Sequence, residues 1–267
     1  MFPKLISLGD FFLPTYGLLV ALGFLSALWL CARLAHRSGL DPDKVTNLGV
    51  YAALAGLGGA KLLMFALDFS YYSANPGEIF SLATLQAGGV FYGGLITALI
   101  VGYFYMRKQR LPLASTLDCF APGLALGQGI GRIGCFAAGC CWGQSCTRPW
   151  AVTFIDPEAH RLVGVPLDTA LHPTQIYEAA GALLIFAVLY RRFSPTCAPG
   201  RLIGLYLILT AAARFLVEFF RAHDQPNPFA GPLSTAQWIS FALLLLGLWF
   251  SFAKRGAKDP GAETQSV

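Results

Sequence analysis

The apolar runs of this 267-residue chain contain few ionisable side chains, and these are the first candidates for chemistry. A charged group inside a lipid-facing segment is costly, so it indicates a pairing or functional role. Arg214 and Glu218 are four residues apart, and Arg221 lies seven residues after Arg214. On a helix these three side chains share one face. Because arginine binds phosphate oxygens in a bidentate manner, the spacing predicts either an anion site or an ion pair that holds two helices together.

A glycine-rich segment that ends in Arg132 is the second candidate. Residues 127–134 read GQGIGRIG and predict a turn whose backbone N–H groups could approach an anion. Membrane helices also use glycine for close packing, so a packing role is an equal alternative. The segment is not a nucleotide-binding fingerprint, because no strand precedes it.

The segment HPTQIYE, residues 172–178, opens another apolar run and supplies Glu178. Proline suits the first turn of a helix, and an acidic residue suits the positive end of the helix dipole. A helix cap alone does not explain why His, Gln, Tyr and Glu cluster at one depth. Glu178 is therefore a candidate partner for the arginines.

Four cysteines follow the glycine-rich segment in the pattern C-x4-C-C-x4-C: Cys135, Cys140, Cys141 and Cys146. Zinc sites usually show more closely spaced pairs. In an oxidising compartment a disulfide is the favoured interpretation, with a free reactive thiol as the alternative, and the sequence does not decide the connectivity. The remaining cysteines are predicted to be small apolar fillers: Cys31, Cys119 and Cys197.

The composition indicates which elements must position these residues. The chain is 55% hydrophobic and only 12% charged, against about 25% charged in a typical soluble domain. Its mean hydropathy is +0.58. These values exclude a disordered chain and an ordinary nucleic-acid-binding domain, and they predict an all-α polytopic membrane protein. About seven transmembrane helices are expected, at residues 14–35, 45–67, 88–106, 113–130, 173–190, 202–220 and 233–253.

The distribution of basic residues predicts the orientation of the spans. Most lysines and arginines lie in the first, third and fifth connections and in the C-terminal tail. The positive-inside rule then places the N-terminus outside and the C-terminus in the cytoplasm. Asp118 is expected towards the inner side. The other polar candidates are expected together in the outer half of the membrane: Tyr16, Lys61, Tyr92, Arg132, Glu178, Arg214, Glu218 and Arg221.

The chain is predicted to form one membrane domain over residues 1–255. Two excursions are expected outside the membrane, at about residues 68–87 and 131–172, and the second contains a short predicted strand at residues 152–155. The first span is too long for a signal peptide and is expected to be retained. Residues 256–267 are expected to form a disordered cytoplasmic tail.

Taken in order, these motifs resemble the bacterial prolipoprotein diacylglyceryl transferase family, and the resemblance covers nearly the whole chain. The matching stretches are Tyr16-Gly17, residues 88–94 (GGVFYGG), residues 131–136 (GRIGCF) with Gly139 and Trp142-Gly143, residues 172–178 (HPTQIYE) and residues 214–221 (RFLVEFFR).

The resemblance implies a multi-pass enzyme of the bacterial inner membrane. Such an enzyme transfers the diacylglyceryl group of phosphatidylglycerol to the lipobox cysteine thiol in the signal peptide of a prolipoprotein. A thioether forms, and glycerol phosphate is released. The implied catalytic residues are Arg214, Glu218, Tyr92 and Glu178. The implied phosphatidylglycerol-binding residues are Arg132, Tyr16, Gly131, Gly143 and Arg221. Membrane lipid is the other expected partner, and no cofactor, metal or nucleic acid is expected.

Three positions depart from the family pattern. Well-known members have His at the position of Tyr92, Asn at that of Cys135 and Glu at that of Cys140. Tyrosine is a poor base because its reference pKa is about 10. A mechanism in which arginine and the lipid phosphate lower the pKa of the acceptor thiol is therefore favoured.

Other functions compete with this one. A transporter or channel would also place charges within the membrane, although these charges do not run through its full depth and no inverted repeat is evident. A non-catalytic lipid-binding protein would share the arginines. A family paralogue could use a different acceptor. An intramembrane serine protease is disfavoured because the serines lack the required motif and all four histidines lie outside the apolar runs.

Overall fold

The computed structural model describes residues 4–8, 11–81, 84, 88–196, 198–222 and 231–252. Seven helices of 18 or more residues dominate this part of the chain. In chain order they are α1 (Thr15–Arg37), α2 (Pro42–Leu67), α4 (Phe91–Lys108), α5 (Leu113–Ala138), α7 (Thr174–Arg192), α8 (Arg201–Glu218) and α9 (Thr235–Phe252). The predicted tail at residues 256–267 and Cys197 lie outside the described residues.

Short elements fill the connections. Helix α3 (Phe69–Ala74) and a 3₁₀ helix (Pro76–Phe80) follow α2, and α6 (Pro157–Val163) lies between α5 and α7. The chain starts with an antiparallel pair, β1 (Lys4–Leu8) and β2 (Phe11–Pro14), and a second small pair joins β3 (Val152–Thr153) to β4 (Ala170–Leu171). The strand expected near residue 152 is therefore present, and the N-terminal hairpin is an addition that the sequence did not predict.

The apolar surfaces of the long helices identify a membrane protein. By length and composition, α1, α2 and α9 could each cross a membrane. Large apolar side chains lie exposed along them, including Trp29, Leu57 and Trp249. Exposed apolar surface of this extent suits lipid rather than water as the solvent. The prediction of a mostly helical membrane protein is confirmed.

Helix α5 lies at the centre of the bundle. It packs along α1 on one side and along α7 on the other, and it also contacts α8. Helix α9 packs on α8, and α4 packs on α2, which joins the bundle through α1. The core is densest near one end, where Leu34, Cys119 and Leu189 are fully or almost fully buried.

The glycine-rich segment belongs to α5 and does not form the predicted turn. The helix continues through Pro122 to Ala138. Its glycines allow close approach to the neighbours: a Cβ on Gly127 would lie 3.3 Å from the carbonyl oxygen of Gly23 on α1, and one on Gly129 would lie 2.8 Å from Leu183 on α7. The packing alternative is therefore correct for these positions, because a side chain there would push the helices apart.

Asp118 has a structural role at the far end of α5. Its Oδ2 accepts a hydrogen bond from the N–H of Gly200 at 2.7 Å, and its Oδ1 accepts one from the N–H of Ile203 at 2.8 Å. The buried carboxylate thus binds free N–H groups at the start of α8, where the helix dipole is positive. This contact fixes the position of α8, whose other end carries Arg214.

Candidate active site

Three arginines and two glutamates meet at one end of the bundle. Arg132 lies near the end of α5, Glu178 near the start of α7, and Arg214 and Glu218 in the last turns of α8. Arg221 follows α8 by three residues. Because α5 and α8 end where α7 begins, the topology brings five side chains from separate motifs together.

Glu178 is bound by arginines from two helices. Its Oε2 lies 2.6 Å from Nε of Arg132, and its Oε1 accepts a hydrogen bond of 2.6 Å from Nη1 of Arg214. Nη1 of Arg221 is 3.6 Å from the same Oε1. One carboxylate therefore sets the relative positions of α5, α7 and the end of α8.

Glu218 forms the second centre of the cluster. Its Oε2 lies 2.9 Å from Nη2 of Arg214 and 3.7 Å from Nε of Arg221. Its Oε1 accepts a 2.8 Å hydrogen bond from the hydroxyl of Ser234. The predicted neighbour relationship of Arg214 and Glu218 on one helix face is confirmed.

The Ser234 hydroxyl connects Glu218 to α9. Ser234 and Gln237 form a capping box at the start of that helix: the Gln237 amide oxygen accepts from the Ser234 N–H at 2.9 Å, and the Ser234 hydroxyl oxygen accepts from the Gln237 N–H at 3.3 Å. Ser234 was not predicted from the sequence as part of the site. The Ser-x-x-Gln spacing before an apolar run was the available signal.

The glutamate side chains are more deeply buried than the arginine side chains. The side chains of Glu178 and Glu218 are each 6% exposed, whereas those of Arg132, Arg214 and Arg221 are 23%, 27% and 21% exposed. The carboxylates thus lie behind the guanidinium groups, whose open sides are accessible. Guanidinium groups bind the oxygens of anions, so the accessible face is suited to an anionic ligand.

A loop after α5 joins the helix ends that carry the cluster. The N–H of Gly143 donates to the carbonyl of His172 at 3.0 Å, and the N–H of Gln144 donates to the carbonyl of Phe220 at 2.9 Å. The side chain of Gln144 donates to the carbonyl of Arg221 at 3.0 Å. A Cβ on Gly143 would lie only 2.4 Å from the Phe220 oxygen. Glycine is required here because two backbones pass on either side.

Aromatic side chains cover this junction. The Tyr177 hydroxyl accepts from the Trp150 indole N–H at 2.8 Å and lies 3.1 Å from Nδ1 of His172. The rings of His172, Tyr177 and Phe220 contact one another pairwise. These contacts account for His172 and Tyr177 at the start of α7, which a helix cap alone did not explain.

Three free cysteines border the arginines. The sulfurs of Cys135, Cys140 and Cys141 all lie within 4.8 Å of one another. The pKa of the Cys141 thiol is held well below its usual value because Cys135 and Cys140 hydrogen-bond to the thiolate, and Arg132 and Arg221 further favour the charged form. The same thiol contacts raise the pKa of Cys140. No disulfide joins these cysteines, so the favoured interpretation from sequence is not the arrangement found.

Tyr16 and Gly131 lie beside the cluster. Tyr16, at the start of α1, is near enough to Arg132 and to the three cysteines for electrostatic interaction. Gly131 precedes Arg132, and a Cβ placed on it would meet nothing within 4 Å. The position beside Gly131 is therefore open.

Two predicted members are not brought into the cluster. Tyr92, near the start of α4, is half-exposed and contacts the ring of Phe91. Its helix packs chiefly on α2. Lys61 on α2 donates to the carbonyl oxygen of Thr84, so it ties α2 to the connection that follows it.

A narrow crevice extends from the cluster between α5, α7 and α8. Glu178 and Arg214 lie at its charged end, and its lining includes Ile185, Ala213 and Val217. Gln128 and Thr210 also line it, so the crevice is a small extension of the cluster with both polar and apolar walls. The arrangement can bind a phosphate ester and stabilise negative charge that develops on it during bond cleavage.

Comparisons with known proteins agree with this chemistry. A family model described as prolipoprotein diacylglyceryl transferase matches residues 3–253. A phosphatidylglycerol–prolipoprotein diacylglyceryl transferase of Clostridium tetani is 35% identical over 251 residues, which cover 93% of this chain and 96% of that protein. One of Nitratidesulfovibrio vulgaris is 34% identical over 265 residues, which cover 96% and 95%. One of Methylobacillus flagellatus is 33% identical over 260 residues, which cover 92% and 94%.

Proposed function

The chain belongs to the prolipoprotein diacylglyceryl transferase family, and we propose that its three arginines and two glutamates are where phosphatidylglycerol is bound and cleaved. As a member of this family it is a transferase of the first step of lipoprotein maturation. The observation that carries the site is the meeting of three partly exposed guanidinium groups over two buried carboxylates, because guanidinium groups bind the oxygens of a phosphodiester.

The proposed reaction moves a diacylglyceryl group from oxygen to sulfur. The thiol sulfur of a lipobox cysteine attacks the glycerol carbon that bears the phosphate oxygen, and the carbon–oxygen bond breaks. A thiol and a phosphodiester monoanion thus give a thioether and glycerol phosphate monoanion, so atoms and charge balance. Arg214 stabilises the negative charge that grows on the departing phosphate oxygens.

The glutamates prepare the arginines for this task. Each carboxylate is buried and binds Arg214 through a different guanidinium nitrogen. A guanidinium fixed on two sides has lost its rotational freedom before the substrate arrives, which lowers the entropic cost of binding phosphate in one geometry. Glu178 and Glu218 therefore act as positioning residues that present Arg132, Arg214 and Arg221 to the lipid.

Other predicted residues are assigned from their surroundings. The open space beside Gly131 and the nearby Tyr16 are suited to the lipid head group. Gly143 contributes indirectly, since its lack of a side chain allows the loop to bridge the ends of α7 and α8 next to Arg221. Among the proposed catalytic residues, Tyr92 has the least support, because it lies outside the arginine cluster.

We also propose the membrane topology. Seven spans formed by the seven long helices, with the N-terminus outside and the C-terminus in the cytoplasm, would place the cluster in the outer half of a bacterial inner membrane. Residues 1–255 would form the single membrane domain, with the connections at about 68–87 and 131–172 outside. This placement would give the cluster access to phosphatidylglycerol and to the signal peptide of an exported prolipoprotein.

Family membership favours the transferase over a transporter or a non-catalytic lipid-binding protein. A paralogue with a different acceptor would share the lipid site but not the lipobox peptide.

The proposal is tested by incubating the purified protein in phosphatidylglycerol vesicles with a lipobox peptide and measuring the peptide mass. A mass increase of one diacylglyceryl group is expected.

Two controls make this result specific. A peptide with Ser in place of the acceptor Cys should gain no mass, and vesicles of phosphatidylcholine alone should support no transfer. Consumption of phosphatidylglycerol without modification of the peptide would indicate another acceptor. No consumption of lipid, under conditions in which a relative is active, would contradict the proposal.

A further inference from the structure

Cys135, Cys140 and Cys141 are brought together by the backbone at the end of α5, and the proposed transferase reaction does not involve them. Cys135 lies in the last turn of α5, which ends at Gly139 in the left-handed conformation, with φ of 79°. The N–H of Cys140 donates back to the carbonyl of Cys135 at 3.1 Å, while the N–H of Gly139 donates to the carbonyl of Phe136 at 3.2 Å. This helix-terminating turn folds Cys140 over Cys135.

The backbone of Cys141 has an unfavourable conformation. Its φ is 61°, in the region that non-glycine residues rarely adopt. Two buried side chains at the start of α7 hold the strained segment: the Thr174 hydroxyl donates to the carbonyl of Cys141 at 2.8 Å, and the Gln175 amide donates to the carbonyl of Cys140 at 2.7 Å. Both are fully buried. Strain maintained in this way is characteristic of a functional constraint.

The distances between the three sulfurs would allow all of them to bind one metal ion. A metal–sulfur distance of about 2.3 Å places the sulfurs of a three-coordinate site about 4 Å apart. The three sulfurs already lie within 4.8 Å of one another, so only a small contraction is required. A disulfide would instead bring one pair to about 2.05 Å and leave the third sulfur out.

The ligand number and charge select the metal. Structural zinc sites use four ligands, and the fourth cysteine of the motif is not in the group; its sulfur accepts from the N–H of Arg148 at 3.3 Å. Thiolates are the preferred ligands of Cu(I). A Cu(I) ion with three thiolates carries two negative charges, and Arg132 and Arg221 act electrostatically on Cys141.

We propose that Cys135, Cys140 and Cys141 form a three-thiolate site for one Cu(I) ion. The ion joins the end of α5 to the loop that α7 holds, one helical turn from Arg132. It stabilises the segment on which that arginine lies. The site depends on the geometry of the cysteines and is independent of the transferase reaction.

The test is a titration of the purified full-length protein with Cu(I) under anaerobic conditions, in competition with the coloured Cu(I) chelator bicinchoninate. One equivalent of Cu(I) should transfer from the chelator to each chain. Cys141→Ser should weaken binding at least about 100-fold, because it removes a direct ligand. Cys140→Ser should have the same effect, which provides a second variant should the first fail to fold. Circular dichroism establishes that each variant retains its helices.

The matched control removes every cysteine outside the cluster. A variant with Cys31→Ala, Cys119→Ala, Cys146→Ser and Cys197→Ser should still bind one Cu(I) per chain with unchanged affinity. The proposal is overturned if this variant loses the site, if the wild-type protein takes no Cu(I) from the chelator, or if Cys141→Ser binds as well as wild type. Cells lysed directly into denaturant that contains bicinchoninate and a thiol-alkylating agent must also yield Cys135, Cys140 and Cys141 as alkylated thiols, and a disulfide among them would contradict the proposal.

Discussion

The carboxylate of Glu178 on α7 and the guanidinium of Arg214 on α8 are joined by a hydrogen bond of 2.6 Å. The two residues are separated by 36 positions in the chain. Arg214 uses its other terminal nitrogen for Glu218 on its own helix, 2.9 Å away. The guanidinium is thus held between two buried carboxylates, and its open side is the part that a phosphate would meet.

Glu178→Gln should weaken both the fold and the reaction. The substitution keeps the shape but removes the charge that Arg132 and Arg214 share. Removing one partner of a buried ion pair typically costs about 3 kcal/mol, and the activity should fall at least about tenfold because both arginines lose their orientation. Thermal unfolding and the peptide-transfer assay measure the two effects. Glu78→Gln, at an exposed position of the 3₁₀ helix, is the control and should leave both unchanged; equal effects of the two variants would argue against this role of Glu178.

Ser234→Ala should lower both stability and activity, because Ser234 lies outside the arginine cluster but hydrogen-bonds to Glu218. The hydroxyl caps α9 and also donates to Glu218, so its loss should lower the free energy of unfolding by about 1 kcal/mol and reduce the transfer rate several-fold. The control is Ser240→Ala, whose hydroxyl, within the described part of the chain, bonds to the carbonyl of Ala236 in the same helix. The measurement is chemical denaturation together with the peptide-transfer assay. A transfer rate equal to that of the Ser240 variant would show that Glu218 does not depend on this contact.

Gly143→Ala should disrupt the loop that joins α7 to the end of α8. The added methyl group would lie 2.4 Å from the carbonyl oxygen of Phe220 and 2.7 Å from Cβ of His172. Overpacking of this kind costs about 2 kcal/mol, and displacement of Arg221 should lower the activity as well. Gly58→Ala is the control, because a methyl group there meets nothing within 4 Å. Similar melting temperatures for the two variants would contradict the steric role.

Tyr92→Phe should change the transfer rate by less than about fivefold. No hydrogen bond of the Tyr92 hydroxyl is found among the described residues, its ring contacts Phe91, and α4 packs chiefly on α2. Initial rates at several peptide concentrations provide the measurement. A complete loss of activity would instead assign the proton transfer to Tyr92, and the phosphate-assisted mechanism would have to be abandoned.

The sequence was sufficient for the cluster where two rules of chain geometry applied. The four-residue spacing of Arg214 and Glu218 predicts neighbours on one helix face, and this is confirmed. The alternation of basic connections predicts which helix ends lie together, so it anticipated that Glu178 and Arg132 would meet this pair. The all-α prediction is confirmed for the same reason: long continuous apolar runs leave helices as the only way to satisfy the backbone.

The sequence was insufficient where the outcome depended on packing partners. Glycines between 127 and 134 are compatible with a turn or with a closely packed helix, and only the proximity of Gly23 and Leu183 decides for the helix. Tyr92 was grouped with the site by resemblance and predicted depth, but depth does not determine the side of the bundle on which α4 packs. Ser234 was missed because its link to Glu218 depends on how α9 packs against α8.

The most direct test of the account compares Arg214→Lys with Arg201→Lys, at opposite ends of the same helix, in the phosphatidylglycerol and lipobox-peptide assay. Lysine keeps the positive charge but cannot bind Glu178, Glu218 and a phosphate with one planar group. We predict that Arg214→Lys lowers the rate of thioether formation at least about 100-fold while the protein remains folded, and that Arg201→Lys leaves it unchanged. A folded Arg214→Lys protein that transfers at the wild-type rate would contradict the central role of this cluster.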